Sequence, residues 1–146
     1  MEVEGTREFE ASRERVWAVI SDPAEMVQLM RGAEDFAVID ATHWRAKLRV
    51  PVGPGLKLAM SFEQLEQRPL EFASMRGTGK TFGAGLAMTT SYSLSGEGEH
   101  TSMAWTADVS VSGILGAMGE STLRPIISQQ VEEIMTALEQ RLGGAT

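Results

Sequence analysis

The sequence predicts an α+β fold: a curved, seven-stranded antiparallel sheet wrapped around one long C-terminal helix, with two short helices between strands 1 and 2. Three observations carry that expectation. Between Phe36 and Val111 apolar residues recur at every second position, in segments separated by Gly- and Pro-bearing turns, which is the period of half-buried strands. From Gly113 to Leu142 they recur instead at steps of three and four, the period of a helix with one apolar face. Such a helix spans roughly 45 Å and needs a surface for its stripe. A sheet that is apolar on one side is the surface the rest of the chain supplies.

Each element follows from its residues. Glu2 to Glu10 alternates, with Val3, Gly5, Arg7 and Phe9 on one side, and reads as strand 1. Ser12 is the expected N-cap of a short helix from Arg13 to Ile20 carrying Val16, Trp17 and Ile20. Asp22 caps a second, with Pro23 at its first position, where a missing N–H costs nothing, and with Met26, Leu29 and Met30 on its apolar side. Arg31-Gly32 ends it. The six strands that follow place Phe36 and Val38; Trp44, Ala46, Leu48 and Val50; Leu56, Leu58, Met60 and Phe62; the segment Leu70 to Arg76; Leu86, Met88, Thr90, Tyr92 and Leu94; and Met103, Trp105, Ala107, Val109 and Val111. Expected turns are Pro51 to Gly55, Gln67 to Pro69, Gly77 to Lys80 and Ser95 to Glu99. Pro125 interrupts the long helix, and the loss of its hydrogen bond to Ser121 predicts a kink near Ser121-Thr122 or a second helix starting at Pro125.

The length of 146 residues suits one domain, 1–146. There is no cysteine, so disulfides and thiolate chemistry are excluded and a cytoplasmic setting is expected. The first ten residues are polar and do not form a signal peptide. No apolar run approaches the roughly 20 residues of a membrane span, which leaves peripheral membrane contact as the expected limit. A net charge of −7 argues against a nucleic-acid partner.

The opening "MEVEGTREFEASRERVWAVISDP" resembles the START-like (SRPBCC) helix-grip superfamily, which includes polyketide cyclases and lipid-transfer domains. Within it, the chain is similar to the CoxG family of carbon monoxide dehydrogenase subunits. Glu4-Gly5, Val52-Gly53-Pro54, Gly77-Thr78-Gly79-Lys80 and the helix start "GILGAMGESTL" carry that likeness. The resemblance implies an accessory protein that assists maturation or membrane recruitment of a molybdenum-dependent dehydrogenase, with some relatives binding quinone-like lipids. Many members of that family carry a C-terminal membrane-seeking extension. This chain ends at Thr146, soon after the helix, so no built-in anchor is expected.

Large inward residues beneath a long helix either fill the space or line a cavity. The candidate lining set is Trp44, Leu48, Met60, Phe62, Met88, Thr90, Tyr92, Met103, Trp105, Leu115, Met118, Thr122 and Ile126. Tyr92 or Thr90 is the expected polar contact, and nine methionines suit an adaptable apolar lining. No catalytic residue, metal site or cofactor is expected: His43 and His100 lack partners at ligand spacing, and the glycines of "GTGKTFG" have the wrong spacing for a phosphate loop. Alternation points Arg7 and Asp40 inward, as a pair suited to a polar ligand head, although both lie near strand ends, where solvation is expected. His43, Arg45, Lys47 and Arg49 form an outward basic row, read first as a solvated face and second as a dock for an acidic partner or anionic lipid heads. Two functions follow. The first is a non-catalytic protein that holds a hydrophobic, lipid- or quinone-like small molecule and assists a dehydrogenase complex. The alternative is a polyketide cyclase or dehydratase using the same cavity. The residues do not specify an oligomeric state.

Overall fold

A computed structural model describes residues 1–30, 32–50, 55–81 and 83–143. Strand β1 (Glu2–Phe9) leads into helices α1 (Arg13–Ile20) and α2 (Pro23–Leu29). Strands β2 (Glu34–Val38), β3 (His43–Val50), β4 (Leu56–Arg68), β5 (Phe72–Thr81), β6 (Ala84–Ser95) and β7 (Thr101–Gly113) follow, then helices α3 (Ile114–Ala117) and α4 (Glu120–Gly143). All seven strands form one antiparallel sheet in the order β1-β7-β6-β5-β4-β3-β2. Strands β2 to β7 therefore neighbour each other in sequence order, while β1 closes on β7 with Glu2 opposite Asp108. This is the curved, unclosed sheet with a long C-terminal helix that the sequence predicts.

Local chemistry sets the early turns as expected. The Ser12 hydroxyl accepts a hydrogen bond from the Arg15 amide at 3.3 Å, and the Asp22 carboxylate accepts one from the Ala24 amide at 2.9 Å. Each satisfies a donor that the first helical turn leaves open. Met30 caps α2, and Arg31 of the expected Arg31-Gly32 stop lies outside the described residues. So does the expected turn at Pro51 to Gly55, except for Gly55.

Several boundaries differ from the sequence reading; Gln67 and Arg68, expected in a turn, stay in β4 opposite Ala73 and Phe72. Strand β5 does not end at Arg76: Gly77 to Lys80 continue its ladder, Gly77 opposite Phe62 and Gly79 opposite Met60. A Cβ on Gly79 would sit 2.1 Å from the Met60 sulfur, so the glycine is there because a neighbouring side chain occupies its place. The long helix is also broken one turn earlier than Pro125 suggests. Helix α3 ends at Ala117, Gly119 takes the left-handed φ of +84°, and α4 starts at Glu120 and runs on through Pro125. A glycine in that conformation ends a helix at little steric cost.

Buried side chains fall into three groups. The largest lies beneath α4 and joins β1, β6 and β7 to α1 through Phe9, Val16, Met103, Trp105, Met135 and Leu138. A second covers β3, β4 and β5: the rings of Trp44 and Phe62 stack with centroids 4.0 Å apart, Phe36 meets Trp44 edge-on, and Val27 and Met30 of α2 pack above. The third joins Ala84, Leu115 and Leu123 around α3. On the outside, Arg7 of β1 fastens α4 through Glu132 at 2.9 Å and Glu139 at 2.6 Å.

Candidate functional site

A cavity of about 140 Å³ lies where the three groups meet. Its sheet side is built at one end of the strands. Leu48 and Val50 of β3 face it, with Leu86 and Met88 of β6 and Val109 and Val111 of β7. Register makes the last four a block, Met88 opposite Val109 and Leu86 opposite Val111. Leu115 of α3 closes the end. Leu123, Ile126, Ile127, Val131 and Ile134 of α4 form the roof, and Leu29 and Met30 of α2 the side wall. The polar residues in the lining are Arg49, Gln130 and Glu133. Leu29 and Glu133 also line a surface depression between α2 and α4, together with Gln28, Gln129, Glu132, Thr136 and Gln140, which places the mouth there.

Of the candidate lining residues, the structure brings Leu48, Met88, Leu115 and Ile126 together around this space. Trp44, Met60 and Phe62 instead fill the sheet beneath α2. Met103 and Trp105 pack beneath α4, with Trp105 lying on Gly5: a Cβ there would be 2.7 Å from its ring. The Trp105 indole N–H is buried with no hydrogen-bond partner among the described residues. Thr90 is buried on β6. Tyr92 borders, with Trp44, a notch of about 10 Å³, scarcely a water's worth. Burial alone pushes its phenol up to about 12. Met118 is half-buried against the Leu115 group, and Thr122 is exposed in the first turn of α4.

Residues at the strand ends, Val50, Leu86, Val109 and Val111, fall outside the candidate set, as do Gln130 and Glu133. For the strand residues the signal is size; Gln130 and Glu133 carry none. Trp44, Phe62 and Trp105 fill the space they point into, whereas a block of valines and leucines facing the helix leaves space over.

The inward Arg7–Asp40 pair does not form. Arg7 turns to Glu132 and Glu139, while Asp40 is exposed in the β2–β3 turn. Hydrogen bonds from the Thr42 amide at 2.9 Å and from His43 hold its carboxyl at about 2. His43 in turn bridges Asp40 at 2.9 Å and Glu63 at 3.0 Å, and both raise its pKa. Arg45, Lys47 and Arg49 are exposed on the outer face of β3, and Lys47 pairs with Asp35 at 3.2 Å. Among the described residues there is no group of three or more metal-ligating side chains placed to hold an ion.

Residues 5–143 match the model of CoxG, a family described as a carbon monoxide dehydrogenase subunit. The chain belongs to the CoxG family. No curated protein matches it. Solved structures share the fold at low identity. A conserved protein from Geobacillus kaustophilus aligns with a TM-score of 0.88 at 16% identity, covering 99% of this chain and 97% of that one. A START superfamily protein from Mycobacterium smegmatis gives 0.77 at 15%, covering 99% of each. The Zhui aromatase/cyclase from Streptomyces sp. R1128 gives 0.78 at 14%, covering 97% and 93%. The chain thus has a START-like helix-grip fold. No helix among its described residues is long and apolar enough to cross a membrane.

Proposed function

We propose that the protein holds a small hydrophobic molecule between sheet and C-terminal helix and acts in the cytoplasm as an accessory factor for a molybdenum-dependent dehydrogenase. The cavity carries the first half of this reading. Its wall is aliphatic apart from three residues, and it is open to solvent between α2 and α4. At about 140 Å³ it is close to the volume known to take one benzene ring, and well below the several hundred Å³ of drug-sized sites. A single ring or a short acyl segment fits inside, and a longer tail emerges through the mouth. Membership of the CoxG family supports the second half.

Native mass spectrometry of protein purified from its own host, followed by extraction and identification of what it releases, tests the binding. A bound quinone-like or acyl species is expected, and it should be lost when Leu86 or Val109 is enlarged. Protein that carries nothing, and that fails to bind apolar molecules when they are supplied, overturns the reading. Co-purification with identified dehydrogenase subunits, or its absence, tests the accessory role separately.

A further inference from the structure

The polar residues at the mouth of the cavity point to the chemistry of the ligand's head. Ile126, Gln130 and Glu133 recur at steps of four and three, so they share the flank of α4 that borders the opening. Neither the Gln130 nor the Glu133 side chain makes a hydrogen bond or ion pair with any described residue, although both contribute to the cavity wall and Glu133 also to the depression outside it. Nearby carboxylates behave differently: Glu132 and Glu139 are both engaged by Arg7. Glu133 is half-buried, and its oxygens accept hydrogen bonds but donate none. A carboxylate head entering past it meets like charge, and a carbonyl head finds no donor on Glu133 and only the Gln130 amide nearby. A hydroxyl head gains a charge-assisted hydrogen bond, and the Gln130 amide, one turn away, supplies a second donor or acceptor.

We propose that this site selects ring-sized apolar molecules that carry a hydroxyl donor, phenols above all, with Glu133 as the acceptor. This rests on the reading of the cavity as a ligand site. Arg49 also contributes to the cavity wall, but on β3, where its side chain is exposed and lies against Gly55 at the far edge of the sheet.

Calorimetric titration of the full chain with p-cresol, toluene and p-toluate tests the proposal, because the three share one ring and differ only in the head. p-Cresol is expected to bind about ten- to a hundredfold tighter than toluene, the range of a hydrogen bond to a charged acceptor. p-Toluate is expected to bind more weakly than toluene. Glu133→Leu should abolish the preference for p-cresol and leave toluene binding as tight or tighter, with an unchanged circular dichroism spectrum. Equal affinity for p-cresol and toluene, a preference that survives Glu133→Leu, or tightest binding of p-toluate overturns the assignment of the head while leaving the cavity as a ligand site. Failure of all three to bind overturns both.

Discussion

Filling the cavity from the sheet side should stabilise the protein and weaken ligand binding together. Val109 is 2% exposed, lies opposite Met88 and faces the space of about 140 Å³. Val109→Ile keeps the β-branch, so strand preference and χ1 restriction are retained. The change adds one methylene where there is room for it. Burial of that group contributes about 0.8 kcal/mol, and a chain of this size gains about 2–4 °C in Tm per kcal/mol. The expected rise is about 2–3 °C, and about twice that when Val111→Ile, which faces the same space, is added. Thermal unfolding followed by circular dichroism reads the rise. Titration with a ring-sized apolar probe reads the loss of affinity, expected to be at least about tenfold, or 1.4 kcal/mol. A fall in Tm, from the roughly 1–3 kcal/mol that overpacking costs, with probe affinity unchanged, would show that no usable space exists beside Val109.

Gly5→Ala sets a Cβ 2.7 Å from the buried Trp105 ring and should cost about 1–3 kcal/mol, read as a lower urea midpoint with an unchanged slope. Pro125→Ala restores the hydrogen bond to Ser121 in the second turn of α4. It should raise stability by up to about 3 kcal/mol; a loss would mean that the ring itself is needed there. Tyr92 should titrate near 12 rather than 10 in ultraviolet difference spectra. Its folded value lies above its unfolded one and the neutral form is the one buried, so this contribution is complete below pH 10 and declines as pH rises towards 12; an ordinary midpoint in folded protein refutes the burial. His43 should titrate above 6.5 by NMR, and Asp40 near 2. The contribution of the histidine is complete below 6.5 and is lost as pH rises through its folded value, whereas that of Asp40 is present above 3.8 and is lost as pH falls towards 2. His43→Gln should remove the upper limb, and a midpoint at or below 6.5 would show that the bridge is not formed.

The architecture is legible in the sequence because its signals are local. The period of two along β3, β4, β6 and β7 names the buried face, and Ser12 and Asp22-Pro23 announce their helices by cap chemistry. The end of β5 is not legible. Gly77 and Gly79 have the composition of a turn, and only the side chains of Phe62 and Met60, supplied by the neighbouring strand, make them strand interior. Local chemistry assigns the break in the C-terminal helix to Pro125, the stronger breaker, yet a proline near the start of α4 is carried within the helix while Gly119 makes the turn. The cavity is the least legible feature. Alternation says which residues point inward but not whether their neighbours reach them. Trp44 and Phe62 stack into a filled layer, whereas Val109 and Leu86, equally inward, border empty space. Glu133 lies on the edge of the apolar stripe of α4 and gives no sign of its position until α2 and β3 are placed around it.

The pairing of β1 with β7 has a consequence for how the molecule is made. Residues that leave the ribosome first must wait for a partner strand from the last third of the chain, and Arg7 waits longer still for Glu132 and Glu139. Hairpins β2 to β7 can zip in the order of their synthesis, but the ends are stitched together last. Contacts so distant in sequence slow folding. Until they form, the opening strand is an unsatisfied edge, and in a crowded cell the nascent chain is at its most adhesive during that interval.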